Sequence, residues 1–261
     1  LARQGRETVL GALDEGGYET VCPAPDETNF GAVETDDDVR TCVQLFKEHE
    51  DDIDGVLVTL PNFGDEKAVA ETLRRADLDV PVLVHAFPDA VEGGEMGQRR
   101  DSFCGKVSAC NDLQQYGIPF SLTDRHVVDP EGDEFDREMD RFAAVCRVFN
   151  GLRSARVGAF GARPADFNTM RCSEKILERS GIAVEPVDLT EIIAAAEDLD
   201  DGDARVERWR SSIDIYCDTG ETPEERLDRM ARLGVAIDEF CRELELDAYG
   251  LQCWTSLEEN Y

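Results

Sequence analysis

Residues 152–171 read LRSARVGAFGARPADFNTMR, and the expected architecture follows from their pattern. Ala155–Phe160 is a mainly apolar run without helical spacing, which predicts a buried strand. Gly158 and Gly161 bound a turn after it, and we predict a helix over residues 165–180. A strand, a glycine turn and a helix in this order can direct backbone N–H groups and a helix N-terminus at an anionic or polyhydroxy ligand. We therefore place a candidate ligand site at this turn.

Upstream of this stretch, buried strands alternate with helices. Ile53–Leu60 (IDGVLVTL) and Val80–Phe87 (VPVLVHAF) are nearly unbroken apolar runs, typical of parallel strands covered on both faces. Further strands are predicted at residues 18–22 and 118–122, and helices at 3–14, 35–50, 65–76, 104–116 and 133–152. Strands and helices alternating at this spacing predict a parallel sheet.

The alternation continues downstream in a second unit. Strands are predicted at residues 182–187 and 246–254 and helices at 189–199 and 222–245, while 209–215 fit a strand or a helix. The predicted fold class is α/β, with two consecutive Rossmann-like domains that have parallel sheets and helices on both faces. We place these domains at residues 1–152 and 153–261. Because the chain starts at Leu1 inside a predicted helix and stops soon after a strand, we expect a fragment shortened at both ends.

The charge is strongly acidic. Asp and Glu number 58 against 27 Lys and Arg, giving a net charge of −31, and only four of the basic residues are lysines. An acidic, lysine-poor but well-patterned chain is typical of a protein kept soluble in concentrated salt, although an ordinary acidic cytosolic protein remains an alternative. Nucleic acid is excluded as a partner because binding phosphates needs a basic surface. No apolar run reaches the roughly 18 residues that span a bilayer, so no membrane is expected.

The nine cysteines form no CxxC pair. Cys42, Cys146, Cys172 and Cys241 lie on apolar faces of predicted helices, which favours buried free thiols over disulfides or zinc. Free thiols indicate a reducing compartment, and we expect a cytoplasmic protein. No histidines and carboxylates show the spacing of metal ligands, so the residues themselves indicate no metal site in this stretch.

Ligands of parallel α/β sheets bind beyond the carboxyl ends of the strands. Six polar or aromatic residues lie at or just past these ends: Asn62, Phe63, His85, Asp89, Thr123 and His126. Asn62 and Phe63 either line a pocket or form a simple strand-to-helix turn. His85 either packs at its strand end or contacts a ligand, and His126 is either a loop residue or a contact.

The second unit has three further candidates. Gln252 and Trp254 end the last predicted strand, where an amide and an indole suit a sugar, although Trp254 fits core packing equally well. Arg163 either binds a ligand anion or pairs with Asp166. Gly158 and Gly161 give GxxG rather than GxGxxG, so a dinucleotide site with Asp188 as the ribose acid is the weaker interpretation.

Four segments resemble the L-fucose/L-arabinose isomerase-like family. They are VTLPNFGDEKAVAETL at 58–73, RRDSFCGKVSACNDLQQYGIPFSL at 99–122, VCRVFNGLRSARVGAFGARPADFNTMRCSEKILERSGIAVEPVDLTEI at 145–192 and GLQCWTSLEENY at 250–261. The resemblance covers the chain from about residue 51 onward. Residues 155–169 and the QCW stretch at 252–254 are its most specific parts.

The resemblance implies an aldose–ketose isomerase about twice this length, usually a hexamer or related homo-oligomer, with a C-terminal domain that this chain lacks. Such enzymes use Mn²⁺ or another divalent cation, held by acidic residues and a histidine, and a carboxylate moves a proton between C1 and C2 through an enediol. Those ligands follow the stretch matched by Gln252–Trp254, so the catalytic residues are expected beyond Tyr261. The resemblance places Gln252 and Trp254 near the sugar, and Asn62 and Phe63 at a strand end that reaches a neighbouring subunit's active site.

The resemblance therefore implies that the chain is part of a metal-dependent sugar isomerase whose substrate is a small sugar. Alone, the fragment is expected to be inactive. A two-domain sugar-binding or sensing protein is the alternative, and an NAD-linked oxidoreductase is a third interpretation.

Overall fold

The structure is a computed structural model, and it describes residues 1–89, 99–253 and 256–261. The chain divides into two compact units, Leu1–Asn150 and Gly151–Tyr261. Each unit contains a three-stranded parallel sheet and helices, so the α/β fold class with Rossmann-like units is confirmed.

The first unit contains the following elements: α1 Ala2–Glu15, α2 Asp36–Glu48, β1 Val56–Leu60, α3 Glu66–Ala76, β2 Val82–Ala86, α4 Ser102–Tyr116, β3 Ser121–Leu122 and α5 Asp133–Arg153, whose last turn crosses into the second unit. β2 is the central strand and pairs in parallel with β1 on one side and β3 on the other. α2 starts with a capping box, in which Thr35 and Asp38 exchange hydrogen bonds with each other's backbone N–H.

Two hydrophobic clusters cover the two faces of the first sheet. On one face, Val82 and Val84 of β2 belong to a cluster with Ala109 and Leu113 of α4. On the other face, the intervening Leu83 belongs to a cluster with α1 and α5. Alternate residues of β2 therefore face opposite layers of helices, which explains the unbroken apolar run in its sequence.

The second unit contains β4 Arg156–Phe160, α6 Glu174–Arg179, β5 Ala183–Val187, α7 Leu189–Glu197, α8 Ala204–Tyr216, α9 Glu224–Glu243, β6 Ala248–Leu251 and α10 Ser256–Asn260. β4 is central here, between β5 and β6, and all three strands are parallel. Phe160 at the end of β4 is buried against α7 and α9. Residues 209–215, for which the sequence allowed a strand or a helix, belong to helix α8.

Two predicted elements were wrong. Residues 18–22 form no strand, and the Tyr18 hydroxyl instead donates to Asp140 Oδ1 at 3.1 Å. The helix predicted over 165–180 is reduced to a 3-10 turn at Asn168–Met170 and the short α6. Nearly all side chains of this segment are exposed, so it has no buried face, and tertiary packing of such a face supplies most helical stability in proteins.

Candidate functional site

The carboxyl ends of the three parallel strands of the first unit lie at one edge of its sheet. We call this the carboxyl edge of the first unit, and it comprises residues 61–64 after β1, 87–89 after β2 and 123–128 after β3. Asn62 is half-buried here and the Phe63 side chain is 46% exposed. An exposed aromatic ring at such an edge is available to a ligand.

The start of α4 packs directly on the turn that carries Asn62 and Phe63. A Cβ atom added to Gly105 would lie 1.8 Å from the Phe63 carbonyl oxygen, so only glycine allows this approach. Just before α4, the Arg100 guanidinium donates to the Pro61 carbonyl at 2.8 Å and lies over the Phe87 ring, 5.0 Å from its centroid. The first two strand ends are thus tied to the helix.

The loop after β3 is tied to α4 by a lysine. Lys106 is only 4% exposed, and its Nζ donates to Thr123 Oγ1 at 2.7 Å and to the His126 carbonyl at 3.1 Å. Burial lowers the pKa of this ammonium group, although Cys110 and Glu138 act in the opposite direction. Sequence reasoning missed Lys106. A lysine in the first turn of the predicted helix 104–116, in a chain with only four lysines, was the available signal.

His85 is a core residue. It is fully buried; its Nε2 donates to the Val128 carbonyl at 2.8 Å, and its Nδ1 accepts from Thr59 Oγ1 at 2.9 Å. The tautomer follows because a carbonyl can only accept. Of the two interpretations of His85, packing at a strand end therefore holds. Burial, aided by the charge of Lys106, lowers the pKa of His85 from 6.5 to about 4.

This lowered pKa predicts an acid-sensitive fold. Below pH 6.5 the unfolded chain protonates His85 while the folded protein does not, so stability is lost as the pH falls from 6.5 toward 4. We expect His85 to cost the protein about 3 kcal/mol of unfolding free energy over this window. Urea unfolding should show this loss in the wild type and not in His85→Gln, which keeps a donor and an acceptor but does not titrate. Parallel pH profiles for the two proteins would contradict the assignment.

The glycine turn of the second unit is held by an amide side chain. Gly161 has a φ of 88° and its N–H donates to the Val187 carbonyl at 2.8 Å, while the Ala162 N–H donates to Gln252 Oε1 at 2.6 Å. Gln252 therefore bridges the ends of β4 and β6. Because α6 starts only at Glu174, the expected helix N-terminus next to this turn is absent, and that part of the prediction was wrong.

Two further candidates of the second unit, Arg163 and Asp188, are bonded to residues of the protein itself. Arg163 forms an ion pair with Glu174 at 2.5 Å rather than with Asp166. The sequence did not indicate Glu174 as the partner because the helix boundaries were predicted wrongly. Asp188 caps α7 by accepting from the Thr190 N–H at 2.9 Å, which gives it a structural role in place of the ribose contact. Trp254 lies outside the described residues.

The thiols are only partly as predicted. All nine cysteines are free, and Cys42 and Cys146 are buried. Burial raises the pKa of Cys42 to about 12. Cys172 is exposed, contrary to the prediction, because the helix expected to bury it does not form there. Cys241 is half-buried.

The described residues also bear on metal binding and on membrane insertion. They bring together no group of three or more His, Cys, Asp or Glu side chains that could hold a metal ion. Within the same ranges, no helix is both long and apolar enough to cross a membrane.

The first unit matches the profile of a known protein family. The family profile described as the fucose/sulfoquinovose isomerase N-terminal domain matches residues 1–153. This range includes every strand of the first unit and the whole of its carboxyl edge. No curated protein sequence matches the chain significantly.

Proposed function

The chain belongs to the fucose/sulfoquinovose isomerase family, and we propose that it forms the N-terminal part of an aldose–ketose sugar isomerase. The match of residues 1–153 to the N-terminal domain of that family carries the proposal. The proposed reaction moves a proton between C1 and C2 of an open-chain sugar through an enediol.

Within this function, the carboxyl edge of the first unit contacts the sugar. The exposed ring of Phe63 offers a flat apolar surface to the C–H groups of the substrate. The amide of Asn62 supplies both a donor and an acceptor for hydroxyl groups. Gly105 and Arg100 support this role because they fix the turn that carries both residues.

In the second unit, we assign Gln252 and Arg163 to the sugar side as well. The amide oxygen of Gln252 is oriented by the Ala162 N–H, and the guanidinium of Arg163 by Glu174. These contacts leave the two side chains at the carboxyl ends of β4 and β6. Trp254 stays a sequence-based prediction.

The described residues do not fit a divalent ion, because no cluster of three suitable side chains occurs among them. We assign no metal ligand and no proton-transferring residue to this part of the chain. The divalent cation, the homo-oligomer and the cytoplasmic location stay predictions from the resemblance and the composition.

A sugar-binding or sensing protein is the second candidate, because two α/β units can also bind a sugar without converting it. Product analysis separates the two functions. The complete gene product should convert an aldose into the corresponding ketose, whereas a binding protein would return the aldose unchanged.

A further inference from the structure

Phe103 and His126 form an exposed aromatic pair at the carboxyl edge of the first unit. Phe103 lies in the first turn of α4 and is 42% exposed, and His126 lies in the exposed part of the loop after β3. Their ring centroids are 4.9 Å apart, with 31° between the ring planes. Two rings from separate elements therefore share one surface at the edge where ligands of such sheets bind.

We propose that Phe103 and His126 are substrate contacts that supplement Phe63, and that Lys106 is the positioning residue that holds them together. This inference rests on the proposed isomerase function. The ligand class is an aldose with an apolar face of C–H groups. The phenyl ring packs on such a face, and the imidazole adds a hydrogen-bonding group for a hydroxyl.

Lys106 connects the two elements that carry the pair. It lies three residues after Phe103 on the same helix, and its Nζ hydrogen-bonds to Thr123 and to the backbone carbonyl of His126 itself. Burying an ammonium group costs free energy unless its protons are hydrogen-bonded. Both acceptors of the Lys106 ammonium group, the Thr123 hydroxyl and the His126 carbonyl, belong to the loop after β3. The position of this loop is therefore coupled to that of α4.

Other contacts hold the same loop from the α5 side. The buried carboxylate of Glu138 accepts from the Asp124 N–H at 2.8 Å, and Arg141 donates to the Leu122 carbonyl at 3.2 Å. Thr123 Oγ1, in turn, donates to the Arg125 carbonyl at 2.7 Å. The backbone is thus fixed on both sides while the two rings stay open to solvent, an arrangement suited to a preorganised contact surface.

The test is steady-state kinetics of the complete gene product with L-fucose as the probe, assayed with Mn²⁺. Phe103→Ala and His126→Ala should each raise KM about tenfold and change kcat by less than about twofold. Tyr116→Ala and His49→Ala are matched controls. Tyr116 is 44% exposed at the opposite end of α4, and His49 is at the end of α2. Both controls should keep the wild-type KM.

Lys106 is tested through its partner, since replacing a buried lysine could unfold the unit. Thr123→Val removes the acceptor and should raise KM like the ring variants, while Thr123→Ser keeps the hydroxyl and should restore the wild-type value. A purely structural role for this contact would lower the melting temperature without moving KM.

The outcomes separate the two proposals. A wild-type protein that produces no ketose from L-fucose or from any of a panel of other aldoses overturns the isomerase function and this inference with it. An active wild type in which both ring variants keep KM within about twofold, or lose kcat alone, overturns only the inference.

Discussion

Gly105→Ala should destabilise the first unit by about 3 kcal/mol, the opposite of what helix propensity alone predicts. Gly105 lies inside α4, where alanine normally stabilises a helix by about 1 kcal/mol relative to glycine. Here the added methyl carbon would lie 1.8 Å from the Phe63 carbonyl oxygen. Because the obstacle is a backbone atom, no side-chain rotation relieves the clash, and either the helix or the turn must move.

Urea unfolding followed by circular dichroism measures this effect. Gly11→Ala is the matched control, since Gly11 lies inside α1 of the same unit and its added Cβ would have no neighbour within 4 Å. The control should gain up to about 1 kcal/mol. A Gly105→Ala protein that is as stable as the control would show that α4 does not pack on the turn carrying Asn62 and Phe63.

Raising the KCl concentration from 0.1 M to 1 M should increase the melting temperature by about 10 °C. With 58 acidic and 27 basic residues, 31 carboxylates have no basic counterpart even if every basic residue is paired. Many observed ion pairs are exposed, such as Arg40 with Asp36, and exposed pairs contribute little to the free energy of unfolding. Over this range the Debye length falls from about 10 Å to about 3 Å, which screens the repulsion between carboxylates.

Thermal unfolding in a KCl series measures the dependence, with sucrose as the uncharged control. Sucrose favours burial without screening charge, so the melting temperature in a sucrose series should not show the steep rise at low concentration that we expect with KCl. A melting temperature that is the same at both KCl concentrations would contradict the hypothesis that the acidic composition is an adaptation to concentrated salt.

The regular elements of the fold were predictable because their signals are local. The apolar runs at 53–60 and 80–87 gave β1 and β2, although each strand is shorter than its run. The helix prediction for residues 165–180 failed because nearly all side chains there are exposed, and a sequence pattern does not show whether a segment has a buried face.

The candidate site was predictable only in part, because its decisive contacts join distant residues. The strand ends placed Asn62, Phe63, Thr123 and His126 at one edge. The contact between Gly105 and Phe63 spans 42 residues, and that between Lys106 and Thr123 spans 17. Neither leaves a local pattern, so the glycine requirement, the buried lysine and the pairing of Phe103 with His126 emerged only from the structure.

Isomerisation in D₂O is the sharpest test of the proposed isomerase function. The complete gene product is incubated with L-fucose and with a panel of other aldoses in the presence of Mn²⁺, and the sugars are analysed by NMR. For an isomerase we expect a ketose product, with deuterium at C1 of the ketose or at C2 of the recovered aldose wherever the enediol proton exchanges with solvent. Sugars that bind but return as unlabelled aldose, with no ketose from any member of the panel, would contradict it and favour a sugar-binding protein.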